Sequence, residues 1–313
     1  MSQYHHQLVF YHTITPLHIG CGQEVGLVDN PIIREKTTGF PFIPGSGIRG
    51  VLRDRCEGMR ELETLFGHEP DAPIDPGEDY AGCISVHDAK ILFFPVRTSV
   101  NLFHWITCPY VIERFNRDVK YFKLNGFPFS KSEYINAIQD SDNECFSVSW
   151  NDEENEIFLE EFPFAKYIKI EGLENDNEQP YQLIKKWIEK NKFDGIEADK
   201  VLVVSDHVFN YFVQHATIVQ QHNRLTSAKT VAEGALFSVE SVPPETLFYG
   251  IIGGVRDRKT NGHKFENGEK AIHHLLATIS NKGSSTVITL GGDESTGLGV
   301  TRMFWQRNGD NKN

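Results

Sequence analysis

Two side chains near the start of the chain are of the types that proton transfer and phosphate chemistry use. They are His18 and Asp29 in TPLHIGCGQEVGLVDNPIIRE, with glycines at 20, 22 and 26 between them. An imidazole titrates near neutral pH and can give or take a proton. A carboxylate can hold a divalent cation or orient a ribose 2'-hydroxyl. The glycines free the backbone to turn sharply, which could fold the two groups close together. The same residue types also serve as a hydrogen-bonded structural histidine and a turn-forming aspartate, and spacing leaves both readings open. A second glycine-rich stretch, LGGDESTGLGV, holds Gly291, Gly292, Gly297 and Gly299 between two strand-like segments. It could cradle a phosphate or turn a tight hairpin. It has neither a P-loop lysine nor a helix-opening GxGxxG, so a nucleotide cofactor is not expected, and Asp293 and Glu294 should point outward. Arg49, Arg53 and Arg97 are the cations best placed by sequence to meet a phosphate group, and each could instead form a surface ion pair.

These groups need elements to position them. Residues 5 to 15 read as a strand rich in β-branched and aromatic side chains, ended by Pro16. Ile43-Pro44-Gly45-Ser46 stops a second extended piece and offers Ser46 as the N-cap of a helix over 46 to 58. Ile48, Val51, Leu52 and Cys56 share one face of that helix, and Arg49 and Arg53 share another. A helix opening on a Gly/Ser turn favours an anion through its free N–H groups and its dipole. Residues 68 to 82 read as a surface loop and Ile84 to Val96 as a buried strand. Pro109 starts a helix with Val111, Phe115, Val119 and Phe122 inward. An irregular acidic region holds a strand-like NEIFLEEF and a helix-like YQLIKKWIEKN. Beyond it come a strand from Val201 to Val204 and the helix HVFNYFVQH, capped by Ser205 or Asp206. Strands are expected at 217 to 225, 234 to 241, 246 to 252, 286 to 290 and 298 to 305, with a helix at 269 to 280. This alternation, with hairpin-like pairs, predicts an α+β sandwich with antiparallel sheets and not a doubly wound fold. No repeat of 20 to 50 residues is visible.

With 39% hydrophobic and 12% aromatic content over 313 residues, the chain can bury a substantial core, and disorder is not indicated. The five cysteines are scattered without a CxxC, which suggests neither a disulfide framework nor a zinc site and suits a reducing cytoplasm. No apolar run approaches a membrane span, and MSQYHHQ lacks a signal pattern. The net charge of -12 argues against nucleic-acid binding at first. It is regional, however: residues 140 to 199 hold 17 acids against six lysines, and the rest of the chain is close to neutral. That stretch reads as a solvated insertion, or as a face turned away from a polyanion or toward a basic neighbour.

The runs TPLHIGCGQEVGLVDNPIIRE and FPFIPGSGIRGVLRD resemble the N-terminal signature of the RAMP proteins of type III CRISPR effector complexes, most closely the fourth Cmr subunits, the repeated backbone of type III-B. LFGH, HDAKILFFPVRT, WITCPYVIERFNRD, EGALF, PPETLFYG and LGGDESTGLGV follow in the family's order, with residues 124 to 198 the least distinctive part. The resemblance implies a single domain over 1–313 with an RRM-like, ferredoxin-like RAMP palm, an antiparallel sheet and large insertions, the acidic one around 124–198. It implies guide CRISPR RNA, complementary target RNA, further copies of the chain and other Cmr subunits as partners, with no membrane.

The activity implied is cleavage of target RNA by metal-dependent transesterification, with magnesium or manganese held at Asp29, which matches the Asp of the VVD-type motif. His18 stands at the family's TPLH position. Glu240 lies where many relatives read E-E-Y-L-P; here Val239-Glu240-Ser241-Val242-Pro243 keeps one acid and lacks the aromatic, so Glu240 is either an auxiliary catalytic group or an exposed acid on an edge strand. Ser46, Arg49, Arg53, Arg97, Gly291, Gly292 and Gly297 are the implied RNA-facing residues, Arg49 standing where the motif PGSSLKG has its Lys. The resemblance also implies a hairpin that splays the RNA, which no motif here locates. A non-cleaving backbone subunit, the type III-A counterpart and a standalone processing endonuclease are the other readings.

Overall fold

The computed structural model describes residues 4–22, 26–69, 80–124, 142–147, 156–167, 186–189, 193, 195–259 and 262–306. The chain divides into two compact units. One comprises Met1–Gly22, Phe42–Lys90 and Phe248–Asn313, the other Gln23–Pro41 and Ile91–Leu247.

Numbered along the chain, the first unit holds β1 (His5–Thr13), β2 (Phe42–Ile43), α1 (Gly45–Arg55), α2 (Leu62–Phe66), β3 (Ile84–Val86) and the start of β4 (Ala89–Arg97). Most of β12 (Leu247–Gly254) belongs here too, followed by α5 (Gly268–Ile279), β13 (Ser285–Thr289) and β14 (Val300–Trp305). The strand order is β13-β14-β1-β12, with β3 also on β12. β14 runs antiparallel to both β1 and β13. The second half of β1 and all of β12 are buried, and the Phe10 and Phe304 rings stack 5.3 Å apart. Apolar runs on both faces thus behave as interior strands do.

Helix α1 starts one residue earlier than its Gly/Ser turn suggests. Pro44 occupies the N-cap, and Ser46 lies in the first turn without capping it. The reason is backbone crowding: a Cβ on Gly45 would sit 2.4 Å from the Val86 carbonyl oxygen, so only glycine lets the helix begin there. The Gly45 N–H donates to Asp88 Oδ1 at 2.7 Å, which satisfies one orphan donor from outside the helix. α5 makes a similar approach, since a Cβ on Gly268 would meet the Gly254 carbonyl oxygen at 2.0 Å.

The second unit has the strand order β4-β5-β9-β6-β8-β7, formed with β5 (Phe103–Thr107), β6 (Glu144–Ser147), β7 (Glu156–Leu159), β8 (Phe162–Tyr167) and β9 (Val201–Val203). Antiparallel pairs dominate, but β5 with β9 and β6 with β8 are parallel. Helices α3 (Pro109–Tyr121) and α4 (Asp206–His215) contribute Val111, Phe115, Phe209 and Phe212 to its core. Ser205 caps α4, its Oγ accepting the Val208 N–H at 3.2 Å. A separate two-stranded sheet pairs β10 (Ile218–Leu225) with β11 (Val231–Ser241).

Three expectations are refined. The strand read over 84 to 96 is two, because His87-Asp88 turns aside to serve α1. NEIFLEEF is a hairpin of β7 and β8 that turns at Glu160 with φ 53°. Phe122 is half-buried just beyond the end of α3. Of YQLIKKWIEKN only 186–189 fall among the described residues, and these are helical. All five cysteines are free. No described helix is long and apolar enough to cross a membrane.

Candidate active site and RNA-facing surfaces

The segment carrying Asp29 belongs to the second unit, where it lies along β11. Asn30 forms a parallel bridge to Val239, its N–H donating to the Ser238 carbonyl at 3.0 Å while its own carbonyl accepts the Glu240 N–H at 3.0 Å. Pro31 favours this extended conformation in the residue before it. The bridge brings Asp29 against Ser238. Oδ2 of Asp29 accepts both the backbone N–H and the hydroxyl of Ser238 at 2.8 Å, and the Asp29 N–H donates back to Ser238 Oγ at 2.9 Å. Asp29 stays exposed. The backbone and hydroxyl donors of Ser238 hold its carboxyl below the usual aspartate range, because hydrogen bonds to the charged form favour it. Oδ1 takes no part in the two Ser238 bonds, and the residue is exposed to solvent.

Glu240 takes the next position on the same face of β11, two residues on. It is 6% exposed, so it is not an exposed acid on an edge. Oε1 accepts from Arg34 NH2 at 2.5 Å and from Thr217 Oγ1 at 2.8 Å, and Oε2 accepts the Ile32 N–H at 3.1 Å. Arg34 NH1 also donates to the Gly39 and Val213 carbonyls. Glu35 in turn takes a bidentate contact from the buried Arg114 NH1 at 2.7 and 2.8 Å, and that guanidinium lies over the Phe40 and Tyr110 rings. Through Arg34, Thr217 and the Ile32 N–H, Glu240 anchors residues 32 and 34 to β11.

His18 belongs to the first unit. It is 9% exposed, and its carbonyl accepts the Gly292 N–H at 2.8 Å. A Cβ on Gly20 would sit 2.8 Å from His18 Nε2, and one on Gly291 only 2.2 Å from the His18 carbonyl oxygen. Gly299 N–H donates to the Pro16 carbonyl at 2.8 Å. The two glycine-rich stretches therefore pack on each other along residues 16–20, and glycine is needed for close approach. The second of them is a ten-residue loop and not a tight turn: residues 290–299 join β13 to β14, with Gly291, Asp293, Gly297 and Gly299 all at positive φ. Asp293, Glu294 and Gly297 are exposed, and a Cβ on Gly297 would meet nothing within 4 Å.

The arginines are more engaged than their spacing suggests. Arg49 donates to the Phe66 carbonyl and lies over the Phe66 ring, 5.7 Å from its centroid. Arg53 donates to the Gly67 carbonyl at 2.8 Å and pairs with Glu69 at 3.6 Å. Both cations thus sit at the C-terminal end of α2, where carbonyls and dipole favour them. What α1 leaves open is a face of Ser46, Gly47 and Gly50, all exposed, with empty space where the glycines lack a side chain. Arg97 is 70% exposed and pairs with Glu160 at 3.0 Å.

The donor set for a metal is small. Among the described residues no three His, Cys, Asp or Glu side chains converge as a metal cage, and Asp29 offers one carboxylate with one oxygen already doubly hydrogen-bonded. One carboxylate is enough for a hard cation such as magnesium only where most of its oxygens come from outside the protein, so these residues do not fit an all-protein site.

Ser238, Arg34 and Thr217 were not anticipated from the sequence. Strand alternation could have found the first, since Ser238 stands two residues before Glu240 and so shares its face.

A sheet dominated by antiparallel pairs and flanked by helices, with an exposed carboxylate pinned beside a two-stranded hairpin, is the arrangement the described residues define. The chain belongs to the RAMP superfamily, whose sequence model matches residues 10–302. It is 31% identical over 306 residues to the CRISPR system Cmr endoribonuclease Cmr4 of Pyrococcus furiosus, covering 95% of this chain and 94% of that protein. The crystal structure of oligomeric Cmr4 from Pyrococcus furiosus superimposes with a TM-score of 0.66 at 26% identity, covering 98% of this chain and all of that one. A chain of the type III-B Cmr-beta complex bound to cognate target RNA shares the fold, with a TM-score of 0.69 at 20% identity over 96% of each chain.

Proposed function

We propose that this chain is a backbone subunit of a type III-B CRISPR effector: a single RAMP domain with an insertion around 124–198 that binds guide RNA in adjacent copies and cuts complementary target RNA. Similarity to an endoribonuclease over nearly the whole length supports the activity. Likeness to an oligomeric relative supports assembly with further copies of itself; guide RNA, target RNA and other Cmr subunits are the further partners this reading gives it. Five free thiols suit a cytoplasmic setting. The guide-facing surface in this reading is the open face of α1 at Ser46, Gly47 and Gly50, with Arg49 and Arg53 behind it and the 290–299 loop beside residues 16–20. The duplex is read by shape and backbone, and pairing carries the sequence.

The observation that carries the chemistry is the exposed Asp29 carboxylate fixed by Ser238. In transesterification the target's 2'-oxygen attacks the adjacent phosphorus and the bond to the 5'-oxygen breaks. The 2'-hydroxyl gives up its proton and the departing 5'-oxygen gains one, leaving a 2',3'-cyclic phosphate and a 5'-hydroxyl. Asp29 Oδ1 accepts the 2'-hydroxyl hydrogen bond and aligns the attacking oxygen, so that positioning supplies much of the rate. A carboxyl held below its ordinary pKa is a weak base but a permanent anion near neutral pH. Orientation is therefore its larger contribution. Asp29 would hold a magnesium or manganese ion, which would supply neutralisation of the phosphate charge.

The β10–β11 hairpin is the element suited to splay the target. Val219, Leu236 and Phe237 expose apolar surface on it, and Leu27, two residues before Asp29, is fully exposed. The Phe237 ring offers a base a stacking face. The test is cleavage of labelled complementary RNA by the assembled complex carrying Asp29→Ala, which should bind guide and target yet leave the target intact.

A further inference from the structure

We infer that Ser238 is the positioning residue of the cleavage site, holding the Asp29 carboxylate in one orientation so that Oδ1 faces the target. The inference rests on Asp29 being the cleaving carboxylate. It stands on a closed ring of three hydrogen bonds: the Ser238 N–H and O–H both donate to Oδ2 at 2.8 Å, and the Asp29 N–H donates to Ser238 Oγ at 2.9 Å. A serine hydroxyl has one proton and accepts through its lone pairs, so the ring uses its donor and one acceptor together. An exposed aspartate without such partners rotates freely between rotamers, and each rotamer points its charge elsewhere.

The ring is itself held. Ser238 is 3% exposed, and its carbonyl takes the Asn30 N–H. Two residues further along, Glu240 locks residues 32 and 34 to the same strand. Ser238 therefore cannot drift while Asp29 stays, and neither can the reverse happen. Because Ser238 lies in β11, the carboxylate is also tied to the strand whose neighbouring Leu236 and Phe237 expose their side chains on the hairpin. Orientation of the reacting group is thereby coupled to the strand that carries the hairpin's exposed side chains. A site supported on packed strands in this way holds its geometry more closely than one left to a loop.

The experiment uses the complex reconstituted with guide RNA and wild-type, Ser238→Ala, Ser238→Thr or Asp29→Ala chain. Single-turnover cleavage of labelled complementary RNA at saturation is measured beside target affinity and the melting temperature of the free chain. Ser238→Ala keeps the backbone donor and loses the hydroxyl, so the cleavage rate should fall roughly tenfold while target affinity and assembly stay as in wild type. Ser238→Thr, which restores a hydroxyl, should recover most of the rate. A merely structural serine would lower melting temperature and affinity without this selective loss of rate. Cleavage by Ser238→Ala at the wild-type rate, with Asp29→Ala inactive, overturns the inference and leaves the assignment of Asp29 standing. Cleavage by Asp29→Ala at the wild-type rate overturns both.

Discussion

Asp29 and Ser238, 209 residues apart in sequence, are joined by three hydrogen bonds of 2.8, 2.8 and 2.9 Å. Two of the three are donated to one carboxylate oxygen. The electrostatic consequence is directional: the Ser238 backbone N–H first, and its hydroxyl second, lower the Asp29 pKa. A group whose folded pKa is depressed contributes stability above its unfolded pKa and loses it as pH falls through the folded value. Following the Asp29 carboxyl by NMR in the free chain should give a midpoint below that of an ordinary aspartate. In Ser238→Ala the midpoint should rise toward the ordinary value, and an unchanged midpoint would mean the hydroxyl is not bonded to the carboxylate in solution.

Glu240 should matter through folding before it matters to chemistry. Removing one partner of a largely buried pair leaves the other uncompensated, so Glu240→Ala should cost about 3 kcal/mol. Arg34→Ala should cost a similar amount, and the double variant much less than the sum, since both remove one interaction. Denaturant midpoints of the free chain measure this; additive losses would show that the pair at 2.5 Å does not act as a unit.

The glycines of the 290–299 loop should separate by surroundings. Gly297→Ala meets open space and pays only for its positive φ, about 1 kcal/mol. Gly291→Ala adds a clash with the His18 carbonyl at 2.2 Å, and Gly299→Ala one with the Leu290 carbonyl at 2.0 Å. Melting temperatures should therefore fall more in the last two variants than in the first. Equal falls in all three would mean that the loop relaxes around the added methyl groups.

Arg49 and Arg97 separate structure from RNA contact. Arg49→Ala deletes a hydrogen bond to the Phe66 carbonyl and should lower the stability of the free chain by about 1 kcal/mol even without RNA. Arg97 is a mostly exposed ion-pair partner, and Arg97→Ala should change stability by less than about 0.5 kcal/mol. If both arginines meet phosphates, each variant also flattens the salt dependence of guide binding, by roughly one contact. A slope unchanged in Arg97→Ala would remove Arg97 from the RNA surface.

Periodicity and punctuation made most elements legible. The helix after Pro109 and the one capped by Ser205 lie where apolar spacing put them, and β10 to β14 follow the expected order. What spacing could not show was where backbone crowding decides. Ser46 looks like an N-cap, yet Gly45 is the residue that fits beside Val86, and Asp88 supplies the missing acceptor. The candidate site was legible only in part for the same reason. Asp29 stood out by type and motif, but its partner is an unremarkable serine in GALFSVES, paired through a bridge that no local pattern encodes. The buried setting of Glu240 was not legible, because its countercharge, Arg34, lies 206 residues away.

The central claim is tested most directly by cleavage of labelled complementary RNA by complex assembled with Asp29→Ala chain, in magnesium or manganese and with chelator. The chain should assemble on guide RNA and pair with target as wild type does, because Asp29 is exposed and buries no core contact. Its cleavage rate should fall by about 10²-fold or more, and chelator should bring wild type down similarly. Cleavage by Asp29→Ala at the wild-type rate would contradict the account and leave a guide-binding scaffold in its place.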